Sequence, residues 1–393
     1  MHFRFTEIFA YINHAVTRRL RSEDYIQVGK THYDTIYQDR IMSVRAYPPL
    51  EEKCIVVDSH SIPVSNESYA IPVVLVPPLG VYSWVFDLLV ERSFVRFLLA
   101  HGFKVYVIDW GSPRPQDSNL RLTDYVNNWM PKAITSIQHH SNSKDVSLVG
   151  YCLGGLIALM YTAIASQPTA TNNKIESSYE NISPVVNLVT LASPINFHGK
   201  DWVGRFSVFA KGPMKSLRRL IPNRSLKFFG AEKLRNRLFH VRGKTLSMAF
   251  RATDPIGSIK SYLKLLQHMA DKEYVIGYMN LSEWFTHMSD FPGGTIHDLL
   301  QYFGVDNRLM QGEFKVGKAK AQLSDIQSRL LVIAGDTDTI VSVDAAKHLL
   351  NLVGSTDTTF LEEPGGHAGV LGGKLASTHT WTDCVDWLKT RSS

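Results

Sequence analysis

Six short apolar runs, rich in β-branched residues, punctuate the chain at residues 71–76, 104–108, 145–149, 186–191, 330–334 and 359–361. None alternates apolar with polar positions, which is the pattern of strands buried on both faces. Between them, residues 93–100, 123–139, 155–165 and 343–353 carry apolar side chains at helical spacing. Strand and helix in alternation predict an α/β architecture, a mostly parallel sheet with helices on both faces. Residues 31–47 are expected to add antiparallel edge strands, and the polar stretch 166–183 reads as a surface loop. The alternation stops between residues 200 and 325, a helix-like, basic and aromatic stretch broken by Phe291-Pro292-Gly293-Gly294. A helical insertion ahead of the last strands is expected to lie as a cap over the strand ends. The predicted division is a helical N-terminal segment (1–30), a first part of the core (31–200), a helical cap (201–325) and a second part of the core (326–393).

The third apolar run feeds directly into Gly150-Tyr151-Cys152-Leu153-Gly154-Gly155, and an apolar helix follows. Strand, sharp turn and helix are the setting of a nucleophile elbow, the hallmark of the α/β-hydrolase fold. Gly150 and Gly154 flank Cys152 where side chains would collide with the neighbouring strand and helix. The turn would expose the sulfur above the sheet, and the helix N-terminus behind it favours a thiolate. The backbone N–H of Leu153 is then aimed at the oxygen of an attacked carbonyl. The competing reading is a buried structural cysteine on a glycine-rich turn.

A thiolate nucleophile needs a base, and the base an orienting acid. The fold's chain order is nucleophile, acid, histidine. Gly335-Asp336-Thr337-Asp338 follows the fifth apolar run and Gly365-Gly366-His367 the sixth, both at strand C-terminal ends, where such a sheet builds its site. Asp338 is favoured over Asp336 as the acid, with Asp344 assigned to capping the next helix. His367 is the expected base; His139 and His140 fall in a helix, and His287 and His297 in the cap. The second oxyanion donor is expected from the loop Pro77-Pro78-Leu79-Gly80-Val81, at Val81. Asp109-Trp110-Gly111 reads as a packing turn.

Composition changes this picture little. The chain has 393 residues, 44% hydrophobic and 20% charged, within the range of ordinary globular enzymes. Its net charge is +6, concentrated in residues 205–251, where a run of Arg and Lys is opposed by Glu232 alone. That run reads either as a solvated helical face or as an attractor of phosphates or an acidic surface. It lacks the aromatic–basic interleaving of RNA-binding surfaces, so no nucleic acid is expected. Three widely spaced cysteines, Cys54, Cys152 and Cys384, make no disulfide framework and fit a reducing compartment. Residues 1–20 read as a short amphipathic helix without signal-peptide features, and no run reaches the about 18 apolar residues of a membrane span. A cytoplasmic protein is expected. No His/Cys/Asp group has metal-ligand spacing, so neither metal nor cofactor is expected.

These blocks resemble the polyhydroxyalkanoate synthases, specifically the catalytic subunit of the two-subunit kind. The resemblance runs from about Thr31 to the C-terminus. It is carried by Val76-Pro77-Pro78-Leu79, Asp87-Leu88, Arg92-Ser93-Phe94-Val95, Val107-Ile108-Asp109-Trp110-Gly111-Ser112-Pro113, Asp117, Leu122, Asp124-Tyr125, the Gly-x-Cys-x-Gly-Gly turn, Glu283-Trp284, Asp338-Thr339-Ile340-Val341 and Gly366-His367-Ala368-Gly369-Val370. Cysteine in place of the serine usual at the turn is its most specific point. The resemblance implies polymerisation of (R)-3-hydroxyacyl-CoA into polyester with release of CoA. Cys152 would be acylated, His367 would act as base, and Asp338 would orient His367. It also implies a granule surface as the place of action, an accessory subunit, and a homodimer or hetero-oligomer. The chain departs from the family at Val81-Tyr82-Ser83-Trp84, where Asn, Arg or Lys, Pro, Tyr is usual, at Ser193-Pro194-Ile195-Asn196-Phe197, and at Ala368-Gly369 and Leu371-Gly372-Gly373. These positions flank the site and bear on the choice of acceptor. A Cys-dependent thioesterase or intracellular polyester depolymerase, using the same three residues with water as acceptor, is the second reading.

Overall fold

The computed structural model describes residues 26–167, 183–196, 231–251, 263–268, 271–305 and 307–392. Eight strands form one sheet: β1 (Asp34–Asp39), β2 (Met42–Tyr47), β3 (Val73–Val76), β4 (Val105–Asp109), β5 (Val146–Tyr151), β6 (Val185–Leu191), β7 (Arg329–Gly335) and β8 (Thr358–Glu363). Their spatial order is β1-β2-β4-β3-β5-β6-β7-β8. β2 is antiparallel to both its neighbours, and every pairing from β4 to β8 is parallel. The chain therefore steps from β3 outward to β4 and returns to lay β5 on the other side of β3. That reversal opens a crevice above the C-terminal ends of β3 and β5.

The unalternating apolar runs have the cause expected of them. Along β3, Val74 and Val76 face one core while Val73 and Leu75 face the other; along β5, Val146 and Leu148 oppose Val149 and Tyr151. With side chains alternating across the sheet and both faces covered, nearly every position is apolar, and among the buried exceptions Asn187 and Ser147 pair with each other at 2.9 Å. Helices α2 (Met130–Ser141) and α3 (Leu153–Ala165) supply the first core, through Ile134, Ile137, Leu156 and Met160. Helix α1 (Phe94–Ala100) supplies the second; there Phe94 and Phe97 tilt against Trp381, each with ring centres 5.5 Å away. The expected helix over 123–139 begins as a π-turn, Asp124–Trp129, before α2. Pro131 stands in the first turn of α2 and has no N–H to continue an α pattern backwards.

The insertion is helical in α4 (Ala231–Leu238), α5 (Gly243–Arg251), α6 (Lys272–Thr286) and α7 (Gly293–Leu299). It is pinned to the core by polar contacts. Arg121 pairs with Asp298 and, at 2.8 Å, with Glu232; Thr295 Oγ1 donates to the Leu120 carbonyl at 2.8 Å. Its far end differs from expectation: Glu313–Val316 and Ala319–Gln322 form an antiparallel hairpin turned at Gly317, where φ is +62°. Phe314 and Val316 are buried while Glu313 and Lys315 are exposed, a strand alternation too short to stand out in a basic stretch. Further helices are α8 (Val343–Lys347), α9 (Gly369–Gly372) and α10 (Thr380–Lys389). The N-terminal helix expected over residues 1–20 and most of the loop expected over 166–183 lie outside the described residues. Among the described residues no helix is long and apolar enough to cross a membrane.

Candidate active site

Cys152 sits between the end of β5 and the first residue of α3, with φ +52° and ψ −122°. A residue with a Cβ resists that conformation, so the surroundings must impose it. A Cβ on Gly150 would lie 2.4 Å from the Cα of Gly155, and one on Gly154 would lie 2.0 Å from the Val76 carbonyl oxygen. One on Gly155 would meet Ser193 Oγ at 1.9 Å. Gly150 and Gly154 are therefore required by close backbone approach, and Gly155 by the Ser193 side chain. The Cys152 N–H donates to the Leu191 carbonyl at 2.8 Å, tying the turn to β6. Cys152 is half-buried, whereas Cys54 is exposed and Cys384 buried. Burial, then the charge of Asp383, pushes the Cys384 thiol up to about 12.

The loops after β7 and β8 bring Asp338 and His367 to the same place. His367 Nδ1 lies 2.8 Å from Asp338 Oδ2, and the Asp338 side chain is fully shielded from solvent. Asp338 Oδ1 accepts the N–H groups of Ile340 at 2.8 Å and Val341 at 2.9 Å, which locks the carboxylate. The imidazole is also close enough to Cys152 to feel its charge. Burial acts to lower the His367 pKa, but negative charge on Cys152 and Asp338 together outweighs it and lifts the value to about 10.

The two aspartates in competition are separated by geometry. Asp336 is exposed and turns away from the ring; its Oδ1 accepts the Gly365 N–H at 2.8 Å, which holds the carboxyl below its usual range. It staples the loop that carries His367. Asp344 lies in the first turn of α8, but the cap itself is Ser342, whose side chain accepts the Ala345 N–H. His139 and His140 end α2, His287 pairs with Glu283 at 2.6 Å, and His297 lies beside Asp298. None of them reaches Cys152. Leu153 opens α3, so its N–H has no partner within the helix. Val81 packs into the same apolar cluster as Cys152 and follows Gly80, whose φ is +78°.

Three neighbours frame the site; in the sequence, Trp284 and Gly372 stood only in a family block and in a departure from it, and Tyr151 had no assigned role. Tyr151 lies with its ring centre 5.4 Å from that of His367, and its hydroxyl donates to the His367 carbonyl at 2.8 Å. Burial, then the charges of Cys152 and Asp338, pushes its phenol well above the ordinary range, so it stays neutral. Trp284, from α6, meets Tyr151 edge to face at 5.7 Å. A Cβ on Gly372 would stand 2.7 Å from Leu88 Cδ1 and 3.5 Å from the Trp284 ring. Trp110 is a packing residue, as expected, with a consequence for the site: its indole N–H donates to the Pro77 carbonyl at 2.9 Å and fixes the loop after β3.

A half-buried thiol on a strained strand-to-helix turn, against a histidine locked by a buried aspartate, at this position of this sheet order, defines an α/β-hydrolase-type site. Residues 73–372 match the model of the alpha/beta hydrolase family, and the chain belongs to that family. Among relatives, it is 24% identical over 379 residues to the poly(3-hydroxyalkanoate) polymerase subunit PhaC of Haloferax mediterranei, covering 96% of this chain and 68% of that protein. It is 26% identical over 326 residues to the PhaC subunit of Allochromatium vinosum, covering 83% of this chain and 82% of that one. Of solved structures, DcsB in complex with its substrate analogue superposes with a TM-score of 0.52 at 15% identity, over 92% of this chain and 99% of that one, a likeness of fold.

Proposed function

We propose that this chain polymerises (R)-3-hydroxyacyl-CoA into polyester through an acyl group carried on Cys152, with His367 as the base and Asp338 as its orienting acid. The observation that carries the reading is a cysteine on the strained elbow whose charge acts on a histidine that Asp338 holds at 2.8 Å. Support for the substrate comes from the PhaC relatives, which match across most of the chain. The Cys152 sulfur attacks the thioester carbon, and the N–H groups of Leu153 and Val81 receive the oxyanion. The carbon–sulfur bond to CoA breaks, and the departing thiolate takes the proton from His367. In the second step neutral His367 removes the hydroxyl proton of the next 3-hydroxyacyl-CoA. Its oxygen attacks the acyl carbon on Cys152, and the Sγ–carbon bond breaks. The lengthened chain, now on CoA, acylates Cys152 again and frees that CoA. Exchange between thiol and thioester is nearly isoenergetic, so a cysteine keeps the acyl group reactive. The substrate thioester supplies the driving force, and no further cofactor enters.

The chain acts in the cytoplasm at a granule surface with an accessory subunit; the basic stretch 205–251, whose first half lies outside the described residues, is suited to CoA phosphates or to that subunit. Incubation with 3-hydroxybutyryl-CoA, alone and with a partner subunit, tests the reading. CoA release with a high-mass polyester is expected. Free 3-hydroxy acid as the product would replace it with a thioesterase or depolymerase, and no CoA release under either condition would overturn it.

A further inference from the structure

One turn of the insertion is fastened to the loop after β3. The Ser289 N–H donates to the Gly80 carbonyl at 3.0 Å. At Gly80, the place a Cβ would occupy lies 2.7 Å from Leu246 Cδ2 and 2.9 Å from Phe291 Cδ2. The loop is thus clasped from two sides, by α5 and by the turn ahead of α7. Those two sides are joined to each other. Val241 and Phe291 form an antiparallel bridge, with N–O distances of 3.0 and 2.8 Å. Asp290 spans the joint: its Oδ1 accepts the Gly243 N–H at 2.9 Å, and its Oδ2 meets His240 Nε2 at 3.0 Å. The His240 side chain is only 4% exposed and its Nδ1 has no partner among the described residues, so Asp290 is the polar group that fixes the ring.

We propose that Asp290 and His240 are positioning residues for acyl transfer. By locking residues 240–246 to the turn at 288–291, the pair sets Gly80, and with it the Val81 N–H, where the oxyanion forms. The inference rests on the thiol acyl-transfer reading above. An oxyanion donor contributes only while it is held in place, because it acts on charge present in the transition state and absent from the bound ester. Loosening the clasp should therefore slow acylation while leaving ester binding and the nucleophilicity of the sulfur as they were.

Two measurements on the full chain separate these quantities: the p-nitrophenol burst from p-nitrophenyl acetate, which needs the oxyanion donors, and alkylation of Cys152 by iodoacetamide, which forms no oxyanion. Asp290→Ala is expected to lower the maximal burst rate by about 10- to 100-fold, the range below full loss of one donor. The half-saturating ester concentration and the alkylation rate should stay near wild type. Asp290→Asn, which can still accept from Gly243, should recover most of the rate. Leu246→Ala, a milder release of the same loop, should give a smaller loss with the same split. An unchanged burst in both Asp290→Ala and Leu246→Ala would overturn the inference, as would alkylation falling in step with the burst. Should Asp290→Ala fail to fold, Leu246→Ala alone decides between these outcomes. A wild-type protein inert to both reagents would overturn the thiol reading itself, and this inference with it.

Discussion

At residues 150–155 three glycines leave no room for a Cβ: backbone of β3 and of α3 itself presses on Gly154 and Gly150, the Ser193 side chain presses on Gly155, and the Leu191 carbonyl of β6 holds the Cys152 N–H. Residues 231–305 are held differently. Polar links attach the insertion, Arg121 with Asp298 and Glu232, Thr295 with the Leu120 carbonyl and Ser289 with the Gly80 carbonyl, and Leu234, Leu238 and Met248 stand 62%, 77% and 64% exposed. Cys152 is placed by steric over-determination; the insertion is seated by buried apolar side chains such as Trp284, Phe291 and Phe303 and by polar links that can be cut singly. Strain at Cys152 is sustained because its frame cannot relax.

Several substitutions probe this contrast. The largest effect belongs to Asp338→Asn, which keeps the shape but removes the charge that stabilises an imidazolium; acylation is expected to fall by about 10⁴-fold, measured as burst rate. The same variant tests the pH dependence. His367 is raised from its unfolded value of about 6.5 to about 10 in the fold, burial opposing and the two negative neighbours prevailing. A raised value means that this group stabilises the protein in full below about 6.5, and that the contribution is lost as pH rises through about 10. Melting temperature should therefore fall over that interval in the wild type more steeply than in Asp338→Asn. Equal slopes would remove His367 as the titrating group.

Gly154→Ala comes next. Its Cβ would press on the Val76 carbonyl oxygen at 2.0 Å, a backbone atom that cannot swing away, so a loss of about 3 kcal/mol or more is expected in denaturant unfolding. Asp298→Ala cuts an attachment of the insertion. Asp298 is 4% exposed but its partner Arg121 is 33% exposed, so solvent screens the pair and about 2 kcal/mol is expected. The loss should show as faster hydrogen exchange in 231–305, with the exchange of β5 and β7 unchanged. Leu238→Gln, on the open face, should move stability by less than about 0.5 kcal/mol in the same unfolding assay. A large effect there would mean that this face is covered in the folded chain.

The sheet was legible because burial on both faces forces unbroken apolar runs, and 145–149 or 330–334 have no other economical reading. The elbow was legible because close backbone contact at Gly150 and Gly154 admits no other residue. The chain order of Asp338 and His367 follows from the fold, and the geometry separates Asp338 from Asp336 by what each carboxylate accepts. What was not legible depends on contacts between residues far apart in the chain. Tyr151 reaches the carbonyl of His367 across 216 positions, and nothing local to Tyr151 announces it. The seat of Ser289 on Gly80 and the anchor of Trp110 on Pro77 are of the same kind. The hairpin at 313–322 escaped because four-residue strands carry too little periodicity to oppose a helical, basic context.

The proposed role of Cys152 as carrier of the acyl group is open to test by rapid quenching of the protein with 3-hydroxybutyryl-CoA, followed by peptide mass spectrometry. A thioester-linked 3-hydroxybutyryl group is expected on the peptide containing Cys152, absent after Cys152→Ala, together with loss of CoA release in that variant. Acylation at another residue, or CoA release that survives Cys152→Ala, would contradict it.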